Sequence, residues 1–244
     1  MRFMVMHKVD AKMEAGTPPD SQLIQDMGAL LQESLKSGRF ITGAGLHGSA
    51  KRARVRHVRG EVSVTPGPYA GSNELLASYA MVKVRSLEDA LPHVRRFAAA
   101  SGECEIEVGP VVEPWDLGIM PKPNGEVPLQ LLLLTKADAA SERGEANTEA
   151  RVSALKVLAD SLADNGALLA TGTLAPSSQG VRALPSSGKR TWVDGPFTES
   201  KELIAGFSVL EVPSLQEAVA WADRYASILV DAEVDVRPMS DEPA

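Results

Sequence analysis

The stretch Thr191–Phe207, TWVDGPFTESKELIAGF, decides the fold, because Thr65–Tyr79, TPGPYAGSNELLASY, is a weaker copy of it. Aligned, Gly67 meets Gly195, Pro68 meets Pro196, Tyr69 meets Phe197, Glu74 meets Glu202 and Tyr79 meets Phe207, always 128 residues apart. The same shift carries Lys8 onto Lys136, Asp10 onto Asp138, Gly38 onto Gly166, Leu87 onto Leu215 and Pro110 onto Pro238. A register unbroken over that length marks one plan written twice. It predicts a first domain over 1–113, a linker over 114–128 and a second domain over 129–244. The linker holds Pro114, Gly118, Pro121, Pro123, Gly125 and Pro128, a semi-rigid composition.

Within each copy the periodicities follow one order. Arg2–Lys8 is a short apolar run, the pattern of a buried strand. Lys12–Asp20, with Gly16, Pro18 and Pro19, reads as a loop. Ile24, Met27, Leu30, Leu31 and Leu35 then recur at helical spacing, and Val152, Leu155, Leu158, Ala159 and Leu162 repeat the stripe. Arg52–Val58 alternates and predicts a strand, with Gly60 turning it into a hairpin. Its basic residues read as an exposed strand face or, in the sharper reading, as an anion patch. Strands over Tyr79–Val84 and Phe207–Val212 follow, then helices opened by Ser86 and Ser214, then closing strands over Cys104–Val112 and Glu233–Pro238. This is the split βαβ order of a ferredoxin-like sheet with two helices on one face. The other face is bare, so the two copies are expected to cover each other.

Composition narrows the function classes. With 44% hydrophobic and 23% charged residues over 244 positions, the chain reads as a soluble globular protein. A net charge of −7 argues against a nucleic-acid partner and against an anionic membrane surface. The longest apolar run, near Leu129–Leu134, is far short of the roughly 20 residues a spanning helix needs. A single cysteine, Cys104, and an N-terminus without a leader pattern point to the cytoplasm. No metal is expected, since no histidine or cysteine stands at ligand spacing, and GAGLHGSA lacks the Lys-Ser/Thr of a phosphate loop. No cofactor is expected either.

Asp194-Gly195-Pro196-Phe197, followed by Glu199, Lys201, Glu202 and Gly206-Phe207, resembles the signature of the DGPF proteins, a branch of the YCII-related family. The resemblance spans both copies, and the second carries the full motif. It implies an α+β fold: two tandem ferredoxin-like (βαββαβ) domains forming an intrachain α/β-barrel-like pseudodimer, as a monomer or as a homodimer of it. Family members include enzyme-like proteins of aromatic breakdown and domains linked with sigma-factor-type regulators. Two functions therefore compete: acid/base chemistry on a small organic molecule in a cleft of the barrel, or a non-catalytic module that binds a ligand or a protein partner. A concavity with Asp194 exposed to it favours the first; a filled apolar centre favours the second.

Asp194 is the candidate acid/base, against the plainer reading that it bonds its own turn. Its counterpart is Pro66, so one such site is expected. Trp192 could line a pocket wall, and Glu199, Lys201 and Glu202 could bind a ligand, or simply be solvated charges. His7 and His47, absent from the second copy, could face Asp194, or be ordinary core and surface histidines. The resemblance also implies a histidine on the first helix, yet neither Asp20–Lys36 nor Arg151–Asn165 contains one.

Overall fold

The computed structural model describes residues 1–71, 74–145, 147–186, 189–197 and 203–240. The first repeat gives β1 (Arg2–Lys8), α1 (Ala11–Glu14), α2 (Ser21–Lys36), β2 (Phe40–Gly45), β3 (Ala53–Val58), β4 (Glu61–Pro66), β5 (Leu76–Val84), α3 (Leu87–Ser101) and β6 (Cys104–Pro110). The second gives β7 (Leu129–Lys136), α4 (Ala139–Glu142), α5 (Glu149–Asp164), β8 (Leu168–Leu174), β9 (Val181–Ser186), β10 (Lys189–Asp194), β11 (Ile204–Glu211), α6 (Leu215–Leu229) and β12 (Val234–Ser240).

Local chemistry explains most boundaries. Asp20 accepts from Leu23 N to start α2, and Ser86 and Ser214 accept from Asp89 N and Glu217 N to start α3 and α6. Arg59 and Gly60, both at positive φ, form the tight turn between β3 and β4. The loop expected over Lys12–Asp20 is corrected at its start: α1 forms there because Asp10 caps it through Met13 N. The helical stripes are not buried throughout: Leu35 and Val152 are exposed.

The strands join one curled sheet in which every pairing is antiparallel, in the order β2-β11-β1-β12-β8-β5-β7-β6-β3-β4, with β9 pairing β10 and β12. The order crosses the repeats. β1 lies between β11 and β12, and β7 lies between β5 and β6. Helices follow their strands: Ser34 of α2 accepts from Trp221 Nε1 of α6 at 2.7 Å, and α5 packs on α3. Thus the β1-α2-β2 half of the first repeat packs with the second half of the second repeat, and β7-α5-β8 packs with the second half of the first. Two matching seams join these units. Met239 pairs with Leu174 between β12 and β8, and Val111 pairs with Leu46.

β1 shows why its sequence is apolar throughout. Phe3 and Val5 pack under α2 and α6, while Met4 and Met6 face the opposite way. There they meet Tyr79, Met81, Leu132, Leu134 and Phe207 from strands all along the sheet. The concave side of the curl is filled by apolar side chains. A third cluster, including Val55, Val94, Ile106 and Leu131, lies under α3.

Candidate functional site

The alternation that buries Met4 and Met6 puts Lys8 on the same face at the end of β1, and Lys136 likewise at the end of β7. Each lysine is buried beside a carboxylate on the neighbouring strand. Lys8 Nζ lies 3.1 Å from Asp235 Oδ2, and Lys136 Nζ lies 3.4 Å from Glu107 Oε2 and also contacts Glu74. Arg182 forks onto Asp235 through Nε at 2.6 Å and NH2 at 2.9 Å, while Arg54 reaches Glu74 at 2.6 Å. Burial alone would raise the Asp235 and Glu107 carboxyls. Lys8 with Arg182, and Lys136 with Arg52, outweigh that and hold both below the ordinary carboxylate value. Arg52 and Arg54, expected on an exposed face, are therefore corrected: their side chains are 0% and 11% exposed. A buried guanidinium is tolerable only because these acids meet it.

The Gly-Pro-aromatic turn closes over each network. Both Gly-Pro bonds are cis. A Cβ at Gly195 would overlap the Ser177 carbonyl oxygen, and one at Gly67 would overlap that of Ser49, so only glycine fits. Phe197 N donates to Ser177 Oγ at 3.0 Å, and Tyr69 N donates to Ser49 Oγ at 3.2 Å. Ser177 N in turn donates to Glu142 at 3.1 Å, and Ser49 N donates to Glu14 at 3.1 Å. The Phe197 ring lies over the Arg182 guanidinium at 4.3 Å, and the Tyr69 ring over Arg54 at 4.2 Å. The motif's glycine and aromatic residue thus form a lid on a buried ion pair.

The remaining candidates separate. Asp194 ends β10 with its side chain exposed, and Trp192 packs against the cluster under α2 and α6. Glu199, Lys201 and Glu202 lie outside the described residues. His7 is buried, with Nδ1 2.7 Å from the Tyr225 hydroxyl, and desolvation lowers its pKa to about 4. His47 meets a different aspartate from the one considered: Nε2 lies 3.2 Å from Asp116 Oδ2, and Nδ1 lies 3.4 Å from Lys51 Nζ. Burial and then Lys51 lower its pKa, although Asp116 opposes them. The structure brings neither histidine into hydrogen bonding with Asp194. Asp223 on α6 is half-exposed and takes Arg190 at 3.0 Å. Among the described residues, no group of three or more His, Cys, Asp or Glu side chains could hold a metal, and no helix is long and apolar enough to cross a membrane.

One large opening breaks the twofold likeness. A cleft of about 890 Å³ lies beside the end of β7 and α4, reaching to the seam at Leu174 and Met239. Thr135 and Phe97 line it. Their counterparts in the other unit are His7 and Tyr225, which fill the equivalent place with two hydrogen-bonded rings. The cleft's charges are largely engaged: Lys136 with Glu74 and Glu107, Arg56 with Glu105, Glu145 with Arg143, and Glu103 with Arg59 N. Around them stand Ser78, Ser141, Thr148, Thr173 and Gln179, with Leu155 and Leu174 on the apolar wall. Sequence reasoning missed this site. Its signal was the loss of one ring and of the hydroxyl that bonds it, legible as Thr135 for His7 and Phe97 for Tyr225.

The YCII-related domain model matches residues 1–112 and again 129–240. The chain belongs to the YCII-related family and carries two copies of its domain. It is similar to an uncharacterised protein of Rhizobium meliloti (strain 1021), 27% identical over 101 residues, which cover 40% of this chain and 82% of that protein. No solved structure matches the chain.

Proposed function

We propose that the chain is a DGPF-branch protein that binds a small, uncharged, hydroxylated organic molecule in the cleft beside Thr135, without acid/base chemistry of its own. The Asp194-Gly195-Pro196-Phe197 run supports the branch. The matching seams support a finer architecture, two ferredoxin-like units with exchanged halves closing an eight-stranded barrel. One observation carries the ligand reading: the cleft is open where the other unit is plugged by His7 and Tyr225. Hydroxyl and amide groups next to an apolar wall suit a ligand with one polar and one apolar face. A charged ligand would compete with ion pairs already made. The binding reading is favoured over catalysis because the concave centre is filled, Asp194 does not line the cleft, and both ring nitrogens of His47 are engaged.

Thermal unfolding against matched sets of polyols and phenols, carboxylates and amines tests this on the wild type and Thr135→His. A ligand at 100 times its Kd stabilises the native state by about 2.7 kcal/mol. Stabilisation by the uncharged set, lost in Thr135→His, is the expected result. A response confined to charged compounds, or one untouched by Thr135→His, would sink the reading.

A further inference from the structure

A second space lies between α3 and α5 and shares only Phe97 and Leu155 with the cleft. It measures about 110 Å³ and is bounded below by Val82 and Leu133, and at the sides by Val94, Leu158 and Leu162. The repeat supplies a cast of what belongs there. In the other unit the corresponding gap, between α6 and α2, is occupied by Trp221, buried, stacked on Tyr225 at 5.2 Å and hydrogen-bonded to Ser34. Leu31 also packs against that core. At the equivalent positions the second gap has His93, which is exposed, and Ala159. Two large apolar side chains are absent, only partly offset by Leu162 in place of Ser34 and Val94 in place of Ala222, and Leu158 is left half-buried where Leu30 is buried.

We propose that the gap between α3 and α5 binds a small uncharged aromatic molecule in the place that Trp221 fills between α6 and α2. The walls are aliphatic and aromatic, so water gains few hydrogen bonds there. A dry cavity of about 150 Å³ lined by Leu, Ile and Phe binds benzene on the same principle. His93, Arg96 and Asn165 form a polar rim, which lets one polar edge of the ligand reach solvent.

Indole is the probe, because it is the side chain that the other unit uses. At ten times its Kd it should raise the melting temperature of the wild type by roughly 3–6 °C. Ala159→Leu and His93→Trp fill the space from opposite helices. Each should melt higher than wild type without indole and should not respond to it; either variant suffices should the other misfold. Methyl resonances of Leu158 and Leu162, which line this gap and not the cleft, should shift with indole while those of Met4 and Met6 stay. Thr135→His, which alters only the cleft, should respond as wild type does, so failure here and failure of the cleft reading are separable. The proposal is overturned by no response of the wild type up to the solubility of indole. It is equally overturned by an undiminished response in both filled variants, or by shifts away from these leucines.

Discussion

His7 shows how one side chain couples the fold to pH. Burial against Tyr225 holds its imidazole neutral down to about pH 4, whereas in the unfolded chain it protonates near the ordinary 6.5. Between those values the unfolded chain binds a proton that the folded chain refuses. Stability contributed by His7 is therefore complete above pH 6.5 and is lost as pH falls toward 4, by up to about 3 kcal/mol. Urea unfolding at stepped pH, compared between wild type and His7→Gln, should show a difference that shrinks with acid across this window; a constant difference would contradict the assignment. From the sequence, His7 stood out as a histidine that the second copy does not repeat. Its partner did not, because Tyr225 lies at the other end of the chain. The same reason hid Asp116 from His47 and left Asp194 as the carboxylate to consider.

At the scale of strands, each unit carries one buried arginine to reach one carbonyl, but from different strands. Arg52, just before β3, donates through Nε to His47 O at 2.6 Å, and Arg237 on β12 donates to the matching Ala175 O. Where one strand holds the arginine its neighbour holds glycine. A Cβ on Gly109 would stand 2.8 Å from Arg52 Cγ, and one on Gly180 would stand 2.6 Å from Arg237 Cδ. The nearest atoms to a Cβ on Gly109 are all of the Arg52 side chain, which makes the exchange testable. Gly109→Arg and Arg52→Gly should each destabilise by several kcal/mol, about 3–5 for a broken buried pair. The double variant should recover about 1–3 kcal/mol relative to additivity, measured by denaturant unfolding. Strict additivity would show that the two strands do not share this space. The strand over Arg52–Val58 and its turn at Gly60 were legible from alternation and glycine. That Arg52 and Arg54 are buried, while Arg56 stays exposed, was not, since Glu74, Glu105 and Glu107 come from segments that only the folded sheet brings near.

For the whole molecule, the repeat was written in the sequence but the choice of partner halves was not. A unit closed from one repeat and a unit closed from two would bury the same strand faces, so hydrophobic pattern cannot distinguish them. In the fold, β1 has neighbours only from the second repeat, and β7 only from the first, among the described residues. The fragment 1–113 should therefore exchange halves with a second copy of itself and elute as a dimer by light scattering; a folded monomer would show that each repeat can close alone. The crossed order also ties folding to the schedule of synthesis. β1 takes its place only between β11 and β12, which are made more than 190 residues later. At about 5–20 residues per second a ribosome leaves Arg2–Lys8 without its neighbours for roughly 10–50 s, an apolar segment in waiting until β11 and β12 emerge.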